Sequence, residues 1–550
     1  MADRGPPVDT EQVCPDGQTG SYSTKHRRLH PWLPASHLPK VQGMADPWLV
    51  AGLRQVRSDQ FRAVQRHGKS RMWAKPADKP RSSIGKRKLL RFVVISCIVT
   101  SFTIFLWPRL ESERVTTETV SNITITSDVG CQPDFEALRR LNVQKLTQYV
   151  RREVVASETP SNVLPLSQRL QVPLFPQKPH GDQLHLPEEL LHEDCLIPNP
   201  VSLQVPTPPR HADASHIDFG VATTIERLND SLDAFSHWAG YTNAHIFALV
   251  EPDERAHEVL LKADALGINL SISESSEEYQ RRYFSLVPHL AKNARPETKW
   301  SCVMDDDTFF LSMPELVKGL KEYDETKPMY VGGLSESIPQ VGVFGLMGFG
   351  GAGVFLSRPL IQELSRPEVF EDCQRMDVTG DRRISLCIYQ YTSVRLTIDH
   401  RLHQLDMMGD VSGFFEAERQ PPLSVHHWKS WFHADMAKAS AVTEICGDSC
   451  LLRKWHFGDG WILTNGFSVV KYSSEKKPGD RSMELTWDSH NGAVFESYLH
   501  ELGPLRLKDE GKISYLHEDA IIDGNRVRQW YVHRDPEQGD QVLELIWRAA

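Results

Sequence analysis

From residue 217 onward, hydrophobic positions fall into short blocks whose period alternates between that of a strand and that of a helix. The runs that read as strands are Ile217–Thr223, His245–Val250, Ile268–Ile272 and Trp300–Met304. The stretches between them with apolar residues at helical spacing are 225–238, 254–266 and 277–291. Strands that alternate with helices indicate a largely parallel sheet covered on both faces. This pattern predicts an α/β fold for the centre of the chain.

The two flanks of this region have different patterns. Residues 135–155 show helical spacing, and eleven prolines between Pro160 and Pro209 favour a semi-rigid stem over a packed domain. After residue 446, short strand-like runs are separated by Gly, Asp and Asn turns, which predicts a small β-rich extension. The glycine-rich stretch Gly345–Gly353 lacks the helix-opening context of a dinucleotide-binding fingerprint. It indicates either a close approach of the backbone to a ligand or a mobile loop.

One apolar segment is typical of a membrane rather than of a soluble core. Phe92–Trp107 carries no charge over 16 residues, and Leu89 and Leu90 extend it to nearly the length of a spanning helix. Basic residues crowd its N-terminal side, which places the N-terminus in the cytoplasm. The alternative is a buried helix of a soluble protein.

Charge is divided unevenly about this segment. Residues 1–88 hold 17 Lys and Arg against 7 Asp and Glu, while the whole chain has a net charge of −10, so the remainder is strongly acidic. Nothing in that remainder indicates a nucleic-acid binder. The predicted organisation is a disordered basic cytoplasmic tail (1–88), a transmembrane anchor (89–107), a lumenal Pro-rich stem (108–210), an α/β domain (211–445) and the β-rich extension (446–550).

Cysteine positions agree with a lumenal location. Seven of the nine cysteines follow the apolar segment, as expected for an oxidising compartment. The expected pairs are Cys373 with Cys387, Cys446 with Cys450, and Cys131 with Cys195, which leaves Cys302 as a buried thiol. Sequons at Asn122, Asn229 and Asn269 are compatible with glycosylation but are common by chance.

Three consecutive carboxylates, Asp305 to Asp307, follow the apolar run Trp300–Met304 and precede Phe309 and Phe310. Carboxylates this close repel one another and raise one another's pKa unless a cation lies near. Oxygen ligands of this kind select Mg²⁺, Mn²⁺ or Ca²⁺, and ligands gather at the carboxyl ends of strands in open α/β folds. The prediction is a metal held at a strand end; the alternative is a solvated acidic turn.

Five motifs occur in an order that resembles the fringe-like β-1,3-glycosyltransferases of glycosyltransferase family 31, most closely the fungal and plant branch. They are DDDTFF (305–310), YVGG (330–333), FGGAGVFLS (349–357), GDRRISLC (380–387) and SVHHW (424–428). The resemblance covers about residues 217–445. It implies a GT-A fold, a UDP-sugar donor, Mn²⁺ or Mg²⁺ as cofactor, and inversion at the anomeric carbon.

The resemblance also implies roles for individual residues. Asp307 matches the metal-ligating position, Asp305 begins the DxD motif and faces the metal and the donor, and Asp306 is a further donor-binding candidate. His426 aligns with the family's metal-binding histidine, and a neutral imidazole is a suitable ligand for manganese. His427 is the second choice. A structural pair of histidines at a strand end is the alternative for both.

An inverting transfer also needs a base on the face of the sugar opposite the leaving diphosphate. Asp381 matches the aspartate of the family's acidic pair, whereas the preceding position, often acidic in relatives, is Gly380 here. The alternative for Asp381 is a helix N-cap.

The remaining candidates concern substrate contacts. Gly350, Gly351 and Gly353 are expected to let their loop pass close to the donor or acceptor. Trp428 and Trp431 offer flat apolar faces that would stack on an acceptor sugar, with aromatic core packing as the alternative.

These observations predict a type II membrane-anchored, metal-dependent inverting glycosyltransferase of the Golgi, which moves a sugar from a UDP-sugar to a hydroxyl of a glycan or glycoprotein acceptor. A catalytically inactive, anchored carbohydrate-binding or scaffold protein on the same fold is the alternative. A lumenal calcium-binding protein is a third, although the spacing lacks the regular ligands of an EF-hand.

Overall fold

The computed structural model describes residues 133–160, 164–175, 199–208, 212–407, 409–430, 432, 434–474, 480–487 and 502–550, and the backbone of residues 124 and 125. These residues belong to one compact unit, Thr116–Ala550. The predicted cytoplasmic tail, the anchor at 89–107, and both Cys131 and Cys195 lie outside the described residues. Among the residues that are described, no helix has the length and apolar character needed to cross a membrane.

The elements of the first half are β1 Thr124–Ile125, α1 Phe135–Arg140, β2 Lys145–Thr159, β3 Ser167–Arg169, β4 Val201–Pro206, β5 Ile217–Thr223, α2 Ile225–Ala239, β6 His245–Val250, α3 Ala256–Ala265, β7 Asn269–Glu274, α4 Tyr279–Asn293, β8 Trp300–Met304, β9 Phe309–Phe310, α5 Met313–Leu320, β10 Tyr330–Gly332 and α6 Ile338–Phe344. Those of the second half are β11 Val354–Ser357, α7 Arg358–Leu364, α8 Pro367–Gln374, α9 Gly380–Tyr391, β12 Leu396–Ile398, α10 Ser412–Glu416, β13 Ser424–Val425, α11 Met436–Ser440, α12 Thr443–Cys446, β14 Lys454–His456, β15 Ile462–Thr464, β16 Ser468–Lys471, β17 Met483–Glu484, β18 Leu505–Arg506, β19 Ile513–Asp523, β20 Arg526–His533 and β21 Asp540–Ala549.

A seven-stranded sheet with the order β12-β10-β11-β8-β5-β6-β7 forms the centre of the molecule. Strands β5 to β8 pair in parallel, and β11 is antiparallel to both of its neighbours. All five residues of β8 are buried, because β5 covers one edge, β11 the other, and side chains pack on both faces. The predicted α/β class and mostly parallel sheet are confirmed.

Helices cover both faces of this sheet. The N-cap Thr224 accepts a hydrogen bond from the Arg227 backbone N–H, and the apolar stripe of α2, which includes Leu228, Leu232 and Phe235, packs into one core. Helix α4 packs on the opposite face, in a second core. The 3.6-residue period of each helix therefore matches a face of the pleated sheet.

A ten-stranded sheet joins the two flanks of the chain. Its order is β1-β2-β21-β20-β19-β16-β15-β14-β3, with β4 also paired to β2. Strand β2 pairs in parallel with β21 along ten residues, and β3 pairs with β14. The stem and the C-terminal extension, which the sequence suggested were separate regions, thus share one sheet in their described parts.

The helix expected over residues 135–155 is wrong for most of its length. Only Phe135–Arg140 is helical; Asn142 follows with a positive φ of 53°, and Lys145–Thr159 is a strand. Valines at positions 150, 154 and 155 favour the extended backbone, and pairing with β21 and β4 on either side completes it.

Two of the three expected disulfides are present: Cys373 with Cys387, which joins α8 to α9, and Cys446 with Cys450. Cys302 is a buried free thiol in β8, as expected.

Candidate functional site

The three aspartates lie at the carboxyl end of β8, in the middle of the seven-stranded sheet, and they occupy different environments. The side chain of Asp305 is 29% exposed, whereas those of Asp306 and Asp307 are buried. The Thr308 hydroxyl donates to the backbone carbonyl of Gly351 and lies 3.2 Å from the Asp305 backbone nitrogen, which holds the turn in place. The solvated acidic turn is therefore wrong for two of the three acids.

Asp306 is directed away from the other two carboxylates, toward helix α2. Its Oδ2 accepts hydrogen bonds from the Thr223 hydroxyl and from Arg227 Nε at 2.6 Å, and its Oδ1 accepts one from Arg227 Nη2 at 2.5 Å. The hydrogen bonds that Arg227 donates to Asp306 outweigh burial and raise the pKa of Arg227 above its ordinary value. Both oxygens of Asp306 are thus engaged by protein groups, and this residue anchors the acidic turn to α2.

His426 meets the other two acids because of a short strand pair. Strand β13 runs antiparallel to β9, so the residue after β13 lies beside the turn that precedes β9. His426 Nε2 is 2.9 Å from Asp307 Oδ1 and 3.3 Å from Asp305 Oδ2. Nδ1 lies 3.1 Å from the Gln404 carbonyl oxygen, to which it donates when protonated. That bond directs Nε2 toward the carboxylates, as in metal-binding histidines.

Charge controls the protonation of this cluster. Burial alone would lower the pKa of His426, but the carboxylates of Asp307 and Asp305 overcome it and raise the pKa to about 10. Burial likewise opposes ionisation of Asp307, and the imidazole of His426 holds the pKa of this carboxyl well below its usual range. The two acids need a positive charge beside them, which a protonated His426 or a cation can supply.

His427 also reaches the cluster, although the two histidines are adjacent in the chain. Asp307, His426 and His427 each offer a ligand atom within 4.8 Å of the others. His427 has a positive φ of 60°, which turns its ring back beside that of His426, with ring centroids 3.7 Å apart. Strain of this kind is found preferentially at functional sites. The structure therefore places His426, the preferred metal ligand, and His427, the second choice, at the same site.

A second layer of side chains orients these groups. His427 Nε2 is 3.3 Å from Asp406 Oδ1, and the Ser430 hydroxyl donates to Asp307 Oδ2 at 3.1 Å. Ser335 donates its hydroxyl to the other Asp406 oxygen at 2.5 Å. A carboxylate behind a metal-ligating histidine is a common supporting arrangement. Asp307, His426 and His427, with Asp305 beside them, therefore fit a divalent cation by donor type and by proximity.

Asp381 lies in the first turn of α9, and Thr379 is the N-cap residue of that helix, so the interpretation of Asp381 as the N-cap is wrong. Its Oδ1 accepts from the Thr379 hydroxyl at 2.9 Å and the Arg382 backbone N–H at 2.7 Å; Oδ2 lies 3.4 Å from the Gly350 nitrogen. Burial, followed by the charge of Asp305, raises the pKa of Asp381 above its ordinary value. A carboxyl with a raised pKa is suited to proton transfer.

The glycines pack against side chains of the site. A Cβ on Gly351 would lie 2.2 Å from the His426 ring, and one on Gly350 would lie 2.0 Å from the Tyr283 hydroxyl and 3.2 Å from Asp305 Oδ1. Gly353 has a φ of 87°, which favours glycine. The loop needs glycine so that its backbone can pass His426 and Tyr283.

Gly380 has a similar explanation. A Cβ at this position would lie 2.5 Å from the Tyr283 ring, and the Gly380 backbone N–H donates to the Gln280 side chain at 2.6 Å. Tyr283 thus occupies the space that a side chain at position 380 would need. Its hydroxyl is buried without a hydrogen-bond partner among the described residues.

Trp428 does not present a free face for stacking. Its side chain is buried, with 6% of the residue exposed, it belongs to the hydrophobic core, and Lys429 Nζ lies 5.6 Å from its ring centroid. The interpretation as core packing is correct, and the stacking role is not supported. Trp431 lies outside the described residues.

The residues around the site that were not predicted include Thr223, Arg227, Tyr283 and Asp406. Thr223 ends β5 and Arg227 begins α2, so the rule that strand ends meet at one sheet edge points to both. Tyr283 and Asp406 give no local signal, since one lies within a helix and the other in a loop.

Part of this chain is similar to a known protein family. A model of the Fringe-like family matches residues 235–444, which lie inside the segment whose motifs carry the resemblance. The match confirms the resemblance to the fringe-like family for that segment; assignment to a fungal or plant branch stays a prediction. No curated protein matches this chain.

Several solved structures align with part of this chain. The glycosyltransferase GlyE of Streptococcus pneumoniae TIGR4 is 12% identical, with a TM-score of 0.28, over 40% of this chain and 58% of that chain. Its apo form aligns over 44% of its own length, so this chain spans about half of GlyE. The galactosyltransferase LgtC, solved with donor and acceptor sugar analogs, is 12% identical, with a TM-score of 0.27, over 38% of this chain and 86% of that chain.

Proposed function

We propose that this protein is a membrane-anchored, metal-dependent inverting glycosyltransferase with a GT-A type fold that transfers a sugar from a UDP-sugar to a hydroxyl of a glycan or glycoprotein. The observation that carries the proposal is the cluster at the end of β8, where His426 Nε2 lies 2.9 Å from Asp307 and 3.3 Å from Asp305. The Fringe-like match over residues 235–444 supports it.

In this proposal Asp305, Asp307, His426 and His427 hold a divalent cation, Mn²⁺ or Mg²⁺. When bound, the cation neutralises charge on the diphosphate of the donor. The chain's own contribution is to fix these ligands: Arg227 and Thr223 hold the turn through Asp306, Gln404 directs His426, and Asp406 directs His427. Preorganised ligands lose little conformational freedom on binding.

Asp381 acts as the general base. Its carboxylate takes the proton of the acceptor hydroxyl while that oxygen bonds to the anomeric carbon and the bond from that carbon to the diphosphate breaks. One displacement inverts the anomeric configuration. The carboxylate is partly buried beside Gly350, on the same side of the sheet end as Asp305, whose charge contributes to its raised pKa.

Location is part of the same proposal. The uncharged run Phe92–Trp107 within the predicted anchor at 89–107, with basic residues on its N-terminal side, supports a single-pass type II topology with the site in the lumen of the Golgi.

The test is hydrolysis of a panel of UDP-sugars by the full chain, with Mn²⁺ and with EDTA. We expect chelation and Asp307→Asn each to abolish hydrolysis, because the ligand set is lost. Asp253→Asn is the matched control, since among the described residues the Asp253 side chain is bound by the neighbouring Arg255. Full hydrolysis with EDTA, or by Asp307→Asn, would refute the role of the metal. Glycan binding without any hydrolysis by the wild type would favour the inactive binding protein.

A further inference from the structure

The ten-stranded sheet contains a cavity that lies outside the Fringe-like segment. Its volume is about 380 Å³, within the range of small-ligand sites of about 300–1,000 Å³. Strand β3, the turn between β14 and β15, and the end of β16 form its walls. The lining residues with chemical character are Arg169, His456, Asp459, Trp461, Lys471 and Tyr472.

The walls of this cavity are held rigidly. Asp459 Oδ2 accepts hydrogen bonds from the backbone N–H groups of Leu174, at 3.0 Å, and Phe175, at 3.1 Å. The Trp461 ring packs against Phe175, with centroids 4.7 Å apart, and against Tyr515, at 5.5 Å. The cavity therefore has a fixed shape before any ligand enters, which lowers the entropic cost of binding.

Several polar groups on these walls lack partners in the part of the chain that the structure describes. Asp459 Oδ1 is buried with no hydrogen bond. Neither Arg169 nor Lys471 forms an ion pair with a described residue, and Lys471 Nζ lies 5.9 Å from the Trp461 ring centroid. Buried polar groups in proteins are nearly always paired, so the unpaired Asp459 oxygen indicates a ligand that donates a hydrogen bond. Arg169, which is exposed, and Lys471, which is partly exposed, line the same cavity and can donate to that ligand.

We propose that this cavity binds a pyranose ring of a glycan. A sugar ring has an apolar C–H face that suits the partly buried aromatic ring of Trp461. Its hydroxyls accept hydrogen bonds from Arg169 and Lys471 and donate to Asp459. The two cations argue against a metal ion, and the charged lining argues against a purely apolar ligand.

This binding site is independent of the proposed transfer reaction. It contains no residue of the Asp305–His426 cluster, and it is assembled from the stem, through Arg169, and from the C-terminal region. An enzyme with such a site would hold a glycan chain through a sugar unit other than the one that reacts.

The test is saturation-transfer NMR on the full chain in detergent, with EDTA and without nucleotide. The probes are the methyl glycosides of glucose, galactose, mannose, N-acetylglucosamine and glucuronic acid. Trp461→Ala removes the aromatic wall. Ser474→Trp places a bulky side chain at an exposed residue of the cavity lining and so blocks the cavity. It tests the proposal even if Trp461→Ala fails to fold. Asn525→Trp, in the exposed turn between β19 and β20, is the matched control.

We expect at least one glycoside to bind, and both cavity variants to weaken its affinity by at least about tenfold, because loss of an aromatic anchor has effects of this size. Asn525→Trp and Asp307→Asn should bind as the wild type does, and Ser474→Trp should retain UDP-sugar hydrolysis. The proposal would be overturned if none of the five glycosides gave a saturation-transfer signal, or if a glycoside bound the Ser474→Trp variant as tightly as the wild type. The Asp307→Asn variant separates the two proposals: UDP-sugar hydrolysis reports on the transferase site, and glycoside binding reports on the cavity.

Discussion

The groups around each of the three adjacent aspartates determine its role. Asp306 is neutralised by Arg227, whereas Asp305 and Asp307 share His426. A buried carboxylate without a counter-charge is costly, so the two buried acids, Asp306 and Asp307, each lie against a basic side chain. The acidic turn therefore divides into one structural carboxylate and two that are available to a cation.

Asp381 leads to a prediction about pH. Burial and Asp305 raise the pKa of this carboxyl, so its protonated form persists to higher pH than that of an ordinary aspartate. Only the ionised form can act as a base. We expect kcat/KM for transfer to fall about tenfold per pH unit below this raised pKa and to level off above it.

The measurement is a pH profile of kcat/KM with saturating Mn²⁺. Asp381→Asn should lower kcat by about 10²–10⁴-fold and remove the acidic limb. Asp377→Asn, a nearby exposed aspartate, is the control and should keep the wild-type profile. An unchanged acidic limb in Asp381→Asn would show that another group is the base.

The hydroxyl of Tyr283 provides a second test at the residue scale. It is buried without a hydrogen-bond partner among the described residues, and it lies directly beside Gly350. Tyr283→Phe removes one unpaired polar atom and keeps the ring. We expect the free energy of unfolding in urea to stay the same or rise by about 1 kcal/mol. A loss of more than about 1 kcal/mol would mean that the hydroxyl is hydrogen-bonded in the folded protein.

At the scale of elements, the short pair β9–β13 and the glycine-rich loop together decide where His426 lies. The strand pair aligns the histidine with the acidic turn, and the loop passes directly over its ring. A two-residue strand pair has little stability of its own, so it depends on the surrounding core. The arrangement of ligands is thus set by several short segments that are far apart in the chain.

The glycine-rich loop gives a prediction with an internal control. Gly351→Ala would place a Cβ 2.2 Å from His426, whereas a Cβ on Gly342 in α6 meets nothing within 4 Å. We expect Gly351→Ala to displace the imidazole and weaken Mn²⁺ affinity by at least about tenfold. Gly342→Ala should leave the affinity unchanged and stabilise the protein by up to about 1 kcal/mol. Calorimetric titration with Mn²⁺ compares the two, and equal affinities would contradict the proposed role of His426.

At the scale of the whole molecule, the stem and the C-terminal region complete one another. Strand β2 lies between β21 on one side and β1 and β4 on the other. Lys512, near the C-terminal strands, pairs with Glu416 of α10 at 3.1 Å and with Glu484 at 2.9 Å. These buried charges link the sheet of the flanks to the α/β region.

Truncation tests this interdependence. A chain that begins at Thr116 retains every strand of the ten-stranded sheet, whereas one that begins at Ala212 loses β1 to β4 and exposes an edge of β21. With a cleavable secretion signal fused to each chain, we expect the first to be secreted as a folded protein and the second to aggregate, because an unpaired apolar edge strand associates with other chains. Circular dichroism and limited proteolysis make the comparison. A stable, folded protein from the shorter chain would show that the α/β region folds without the stem.

Periodicity determined much of the α/β region because its elements are regular and long. Ile217–Thr223, His245–Val250 and Trp300–Met304 are strands with the predicted bounds, since continuous apolar runs between helices have few other arrangements. In the β-rich extension, where the sequence predicted only short strand-like runs, residues 462–471 form two strands, Ile462–Thr464 and Ser468–Lys471. Strand β19 was not predicted, because its alternation is interrupted by charged residues and its pairing partners are set by the sheet.

The sequence by itself determined the α/β class and the acidic turn at a strand end, because these depend on local period and on residue chemistry. The order of its motifs singled out His426 as a candidate through the resemblance to the fringe-like family. Only the tertiary structure decided that β2 is a strand, that Asp306 is bound by Arg227, that Tyr283 fills the space beside Gly380, and that stem and C-terminal region share one sheet. Each of these rests on contacts between residues far apart in the chain, and no local pattern encodes such contacts.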